Sequence, residues 1–210
     1  MDLTKFYNWR YATKQFDTDK PISIKDMNIL KEAIRLSPTS YGLQLFKVFI
    51  IEDQELKRKL RSYSYNQSQI SDCAAVFVFC NYTKVNTVDI DRFIELKSSI
   101  QEKELSKLNK YGDFLKSTLL KKPSNEVSIW TANQVYIALG NLMTSCAALK
   151  IDSCPIEGFQ AEEYNKILEL ENMNSAVVAA VGYRSSNDFS QKDDFIIPFF
   201  YLNIIIFYTG

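Results

Sequence analysis

The segment EVSIWTANQVYIALGNLMTSCAAL, running from Glu126 to Leu149, decides how the rest of the chain must be arranged. Helical spacing places Trp130, Val135, Ile137, Ala138, Leu139, Leu142, Met143, Ala147 and Leu149 around most of one circumference, leaving no broad polar face for water. Such a helix is buried on nearly all sides, either in a large core or in a contact between subunits. The chain has 210 residues, enough for one core-bearing domain and too few for two well-separated enzymatic domains. A subunit interface is therefore the better reading, and a single domain over residues 1–210 is expected.

Outward from that helix, Val76-Phe77-Val78-Phe79-Cys80 and Ala176-Val177-Val178-Ala179-Ala180-Val181 are continuous apolar runs of strand length. Unbroken apolar character marks strands covered on both faces. Phe46 to Ile51 mixes aromatic and β-branched residues and reads as a further strand, followed by a short helix around Gln54 to Leu60. After a short N-terminal helix, Ser23 and Asp26 predict a capping box. It opens a helix with Ile24, Met27, Leu30, Ala33 and Ile34 on one face, closed by Pro38. Helices then lie on both sides of a sheet. Between the two apolar runs, Asp91 to Leu119 carries Phe93, Leu96, Ile100, Leu108, Tyr111 and Leu115 near helical spacing among lysines and glutamates, which predicts a solvated amphipathic helix. There is no internal repeat and no flexible linker.

Composition removes several classes of function. Apolar residues make up 46% and charged residues 24%, ordinary for a globular protein, so intrinsic disorder is excluded. Lys plus Arg and Asp plus Glu number 25 each, which leaves no net charge to draw in nucleic acid or anionic lipid, and no nucleic-acid partner is expected. Histidine is absent, and with it Ser-His and Cys-His pairs, imidazole metal sites and a histidine base. The four cysteines, Cys73, Cys80, Cys146 and Cys154, form no C-x-x-C pair and read as small buried apolar residues. Met1-Asp2-Leu3-Thr4-Lys5 lacks the apolar core of a signal peptide, and no run reaches the about 18 apolar residues of a membrane span. No membrane partner is expected, and a reducing cytoplasm is. Six scattered glycines allow neither a G-x-G-x-x-G turn nor a G-x-x-x-x-G-K loop, so a phosphate-bearing cofactor must be held by side chains.

Three short stretches could do that. In Arg10-Tyr11-Ala12-Thr13-Lys14 two cations flank a polar turn, which suits a phosphate or an anionic ring: arginine gives bidentate hydrogen bonds and lysine a point charge. Ser37-Pro38-Thr39-Ser40-Tyr41-Gly42-Leu43-Gln44 is a turn of small hydroxyl residues, and Pro155-Ile156-Glu157-Gly158-Phe159 a rigid bend whose glycine admits close approach of a planar ligand. Singly, each is equally an exposed basic pair or an ordinary turn. Together with Gln44, Asn66, Trp130-Thr131-Ala132-Asn133-Gln134-Val135-Tyr136 and Gly140-Asn141, in this order, they resemble the FMN-dependent nitroreductase family. The likeness is to its branch of oxygen-insensitive NAD(P)H nitroreductases and dihydropteridine-reductase-like enzymes, and it runs from Arg10 to about Gln191.

The resemblance implies an α+β, three-layer fold, a central mainly antiparallel sheet flanked by helices, in an intertwined homodimer with FMN bound between subunits. It implies that Arg10, Tyr11, Ala12 and Lys14 hold the FMN phosphate and pyrimidine side, that Asn66 lies near the ring, and that Pro155 and Ile156 lead to Glu157 and Gly158, whose amides face N5. Pro38, Thr39 and Ser40 would reach FMN from the neighbouring subunit, and Tyr41 would border the open face where NADH or NADPH and the acceptor bind in turn. The implied reaction is ping-pong transfer from NAD(P)H to a nitroaromatic, quinone or pterin. The flavin carries the chemistry, so no catalytic acid or base and no metal is named. The alternatives are a flavin or dihydropteridine reductase, or a flavin-binding protein with little turnover. Two departures stand out. Gln69 falls where the family places a second lysine at the N1–O2 edge, and Phe195 and Ile197 fall where it places a phosphate-binding Lys-x-Arg pair, which leaves Lys192 as the nearest remaining cation. The tail over 195–210 carries no charge and is expected either to add a strand to the partner's sheet or to be an atypical, disordered terminus.

Overall fold

Strand β2 (Ala75–Tyr82) is buried at every position except Tyr82, and the layers are laid down around it. In this computed structural model, which describes residues 2–188, β2 pairs on one side with β1 (Phe46–Ile51) and on the other with β4 (Met173–Gly182). Strand β3 (Asp152–Ile156) completes the order β1-β2-β4-β3, with every pairing antiparallel. Successive side chains point to opposite faces, and both faces are covered. Ala75, Phe77 and Phe79 pack with Met27, Leu30 and Ile34 of α2 (Ile24–Arg35) and with Val135, Ala138 and Leu142 of α7 (Ser124–Ala148). Val76, Val78 and Cys80 pack with Leu60 of α3 (Gln54–Ser62), Ile70 of α4 (Ser68–Asp72) and Tyr164 of α8 (Ala161–Ile167). The arrangement is α+β in three layers, as expected. Burying a side chain such as Phe77 stabilises the fold by about 1.5–3 kcal/mol.

Several expectations need correction. Ser23 Oγ accepts from the Asp26 N–H at 3.0 Å, but the Asp26 carboxylate takes the Ser23 hydroxyl at 2.8 Å, so only half of a capping box forms. Ile24 is 82% exposed, because it stands one turn ahead of Met27, the first α2 residue to enter the core. The charged stretch is a hairpin of two helices, α5 (Thr87–Gln101) and α6 (Leu105–Leu119). Glu102 adopts left-handed φ of 51°, and the Lys103 N–H returns to Ser98 O at 3.0 Å, which turns the chain back on itself. Ile90, Ile94, Leu108, Leu115 and Leu119 then form a third core with Leu43, Leu45 and Val127. Gly112 permits the crossing, since a Cβ there would lie 3.3 Å from Ile94. Leu96 and Ile100 miss this core and are 59% and 72% exposed.

Helix α7 is not covered all round within one chain. Val127, Thr131, Gln134, Val135, Ala138, Leu139, Leu142, Cys146 and Ala147 are buried, while Ile129, Tyr136 and Ile137 are exposed. The four cysteines are buried, and burial pushes the Cys73 and Cys80 thiols up to about 12. Among the described residues no helix is long and apolar enough to cross a membrane. Lys192 and the 195–210 tail lie outside the described residues.

Candidate functional site

The basic turn begins where α1 (Leu3–Trp9) ends, with Arg10 in extended conformation at its C-cap. From there the chain runs along the edge of the sheet. Ala12 bridges Ser153 in parallel and Phe16 bridges Arg184 antiparallel, so Tyr11, Thr13 and Phe16 turn inward and Lys14 outward. Two carboxylates hold this path. Asp152, 3% exposed, accepts from Thr13 Oγ1 at 3.3 Å and from the Arg184 backbone N–H at 2.8 Å, Nε at 2.9 Å and Nη2 at 2.6 Å. The Arg184 guanidinium lies 4.3 Å and 4.4 Å from the ring centroids of Trp9 and Tyr11. Asp188 Oδ2 accepts from the Lys14 N–H at 3.0 Å, the Gln15 N–H at 3.2 Å and the Tyr11 hydroxyl at 3.2 Å. Burial, with the Asp188 and Asp152 charges adding and Arg184 opposing, pushes the Tyr11 phenol up to about 12 and keeps it a neutral donor. Among the described residues the side chains of Arg10 and Lys14 make no hydrogen bond and no ion pair. The turn therefore presents two uncommitted cations on a fixed backbone.

The end of β3 adjoins it. Pro155 tolerates its place because β3 is the last strand of the sheet and a proline there breaks no interior ladder. Ile156 is buried beneath, while Glu157 and Gly158 are exposed. Glu157 Oε1 accepts from the Tyr136 hydroxyl at 2.6 Å, and burial together with that carboxylate pushes the Tyr136 phenol up to about 12. Gln67 Nε2 donates to Gly158 O at 2.7 Å and the Gln160 N–H to Tyr63 O at 2.8 Å, which ties the loop after α3 to the loop after β3. Tyr65 and Asn66 in that loop have φ of 52° and 56°, a strained pair held by Arg61 Nε on Asn66 O at 3.2 Å. Gln69 follows on α4, 9% exposed, and its amide makes no hydrogen bond among the described residues. The structure thus joins the 10–14 turn to β3 through the Ala12–Ser153 bridge, and the 155–158 segment to the loop of Asn66 through Gln67.

It does not bring Pro38, Thr39, Ser40 and Tyr41 there. Their turn is docked on α7, where Gln134 Oε1 accepts from the Ser40 N–H at 3.0 Å and Asn141 Nδ2 donates to Ser37 Oγ at 2.8 Å. Gln44 braces it from within, donating to Arg35 O at 3.2 Å and Ser37 O at 3.1 Å. Gln134, which holds this turn, and Tyr136, which holds Glu157, lie about 200° apart around α7 at 3.6 residues per turn. The two halves of the expected site stand on opposite sides of one helix. Tyr41, with φ of 58°, packs edge-on against Phe114 at 6.3 Å and Trp130 at 6.2 Å. Sequence reasoning missed Phe114, Asp152, Arg184 and Asp188. Phe114 is 50% exposed, and its only signal was an aromatic outside the apolar spacing of its helix. The other three had none.

The sequence profile of the nitroreductase family matches residues 7–183. The chain belongs to the nitroreductase family. Relatives provisionally named NAD(P)H nitroreductases from Staphylococcus epidermidis and Bacillus subtilis are 36% identical over 189 residues and 37% identical over 191, each alignment covering 85% of this chain and 86% of the relative. A similar solved structure is that of a provisionally named nitroreductase from Exiguobacterium sibiricum in complex with FMN. It has a TM-score of 0.76, 18% identity, and coverage of 88% of this chain and 89% of that one. At that identity the likeness establishes the nitroreductase fold.

Proposed function

We propose that this nitroreductase is an FMN-dependent enzyme that takes reducing equivalents from NADH or NADPH and delivers them to nitroaromatic or quinone acceptors in ping-pong order. The observation that carries the reading is the basic turn: its backbone is fixed by Asp152 and Asp188 while Arg10 and Lys14 stay uncommitted. The residues present fit FMN. Arg10 and Lys14 supply cations for a phosphate and the pyrimidine side, beside Tyr11 and Ala12. The Gln69 amide, which makes no hydrogen bond among the described residues although most of the residue is covered, would offer a donor and an acceptor to a heterocycle edge near Asn66. When bound, FMN supplies two-electron transfer between nicotinamide and acceptor. In this reading the protein orients it and no residue is assigned as acid or base; Tyr11 and Tyr136, with phenols pushed up to about 12, stay protonated at neutral pH.

The opposed halves on α7 support a homodimer in which Pro38, Thr39 and Ser40 of one copy reach FMN on the other, and Tyr41 borders the acceptor's face. Exposed Ile129, Tyr136 and Ile137 would then be covered by the partner's helix, as the sequence of α7 demands. The buried thiols of Cys73, Cys80 and Cys146 accord with a reducing cytoplasm. Lys192 is a further candidate for the phosphate, and residues 1–210 form one domain in this reading.

The test is a steady-state acceptor panel on FMN-saturated protein with each nicotinamide. Yellow protein whose NADH or NADPH oxidation accelerates on adding menadione or nitrofurazone is expected. Acceleration only by free flavin or dihydropteridine would make it a reductase of those compounds. Bound FMN without acceptor-dependent oxidation would make it a flavin-binding protein, and no bound FMN would overturn the reading.

A further inference from the structure

Beside Tyr41, α5 leaves a cleft of about 310 Å³ lined by Phe93, Leu96, Lys97 and Ile100. That volume is at the small end of ligand pockets, roughly 300–1,000 Å³, and suits a single ring better than a dinucleotide. None of the residues lining it is acidic, and the one charged group among them is Lys97. Its ammonium lies 4.7 Å from the Tyr111 ring centroid and 5.6 Å from that of Phe93, and among the described residues it has no ion pair and no hydrogen bond. Asp91, earlier on α5, is already paired with Lys116 at 2.6 Å. All three N–H donors of Lys97 are thus available over an aromatic floor.

An apolar slot with one unsatisfied cation complements a planar arene bearing a single anionic group. We propose that this cleft binds the ring of an aromatic carboxylate, with Lys97 as the carboxylate's partner, so that the enzyme favours nitrobenzoates over neutral nitroarenes. The proposal rests on the reading above that Tyr41 borders the acceptor's face, and it accounts for two large apolar side chains, Leu96 and Ile100, being left in water by an otherwise well-packed hairpin. A purely structural role for Lys97, bracing α5 against α6 through the two rings, would give no preference for anionic ligands.

Calorimetric titration of FMN-saturated protein with 4-nitrobenzoate and with 4-nitrobenzamide separates these roles without requiring turnover. A charge-assisted contact should make the carboxylate bind roughly tenfold tighter or more. Lys97→Gln should remove the difference and Lys97→Arg restore it, and the ratio of kcat/KM for the two acceptors should follow. Equal binding in the native protein, or a preference that survives Lys97→Gln, overturns the proposal. Loss of self-association in Lys97→Gln, with no nitrobenzoate bound by the native protein, would mean that a second copy of the chain fills the cleft, and would also overturn it. Absence of turnover with every acceptor would instead sink the oxidoreductase reading, while the titration still decides what the cleft binds.

Discussion

The basic turn and the α5–α6 hairpin are built on opposite principles. Around the turn, two carboxylates, a guanidinium and two aromatic rings fix a short stretch of backbone through at least six hydrogen bonds, leaving only Arg10 and Lys14 free to reach outward. The hairpin is held by an apolar core and the Lys116–Asp91 pair, and it leaves Leu96, Ile100 and Phe114 in contact with water. A patch that must hold one charged group in one place gains from being over-determined, since every misplaced ångström weakens a directional contact. A surface that meets a succession of acceptors is better served by apolar side chains that make no directional demand.

The contrast breaks first at Asp152. Asp152→Ala leaves the Arg184 guanidinium wedged between rings without its partner, and removal of one member of a buried pair costs about 3–5 kcal/mol; a urea midpoint close to the native value would contradict this. Arg10→Ala should leave that midpoint where it is, because the side chain has no hydrogen bond or ion pair among the described residues. It should weaken FMN binding by the about 1.5–3 kcal/mol of a charge-assisted contact, read as FMN released on dialysis. Gln69→Lys adds a cation beside the proposed heterocycle edge and should raise the two-electron midpoint potential by about 30 mV, or about 1.4 kcal/mol, in a potentiometric titration. Tyr11 and Tyr136 titrate near 12 in the folded chain and at 10.0 unperturbed, so the stability that they add is full below pH 10 and lost as pH rises toward 12. Thermal melts should fall over that window, and less so in Tyr136→Phe. The hairpin should give the smallest stability effect: Ile100→Ser should change stability by no more than about 0.5 kcal/mol, yet alter KM for aromatic acceptors.

How much of this was legible follows from how far apart the cooperating residues lie. Val76 to Cys80 and Ala176 to Val181 declared a sheet covered on both faces, because burial on two sides leaves no polar position in a short run. Arg10 to Lys14 were visible as a charged turn, and Gln69 as an uncharged residue at a position the family fills with lysine. The break at Glu102 was hidden, since no glycine or proline marks it and two helices in succession keep much the same spacing as one. Asp152 opens β3 opposite Gly182 at the end of β4, so it meets Arg184 and Asp188 at one end of the sheet although they are distant in sequence, and no local pattern announces such a meeting. The helix α7 was read as covered on nearly all sides, with a subunit interface preferred, and within one chain Ile129, Tyr136 and Ile137 are exposed. Sequence records the demand for cover without saying which molecule supplies it.

The back-to-back placement of Gln134 and Tyr136 on α7 reaches into genetics. In the proposed dimer each chain would contribute the phosphate-binding half of one site and the hydroxyl-turn half of the other. A chain defective only in the basic turn and a chain defective only in the Pro38–Ser40 turn would each assemble with itself into a protein having no intact site. Mixed in one cell, the two would pair into a hybrid whose lesions fall together in one site and spare the other, so two null alleles would complement each other.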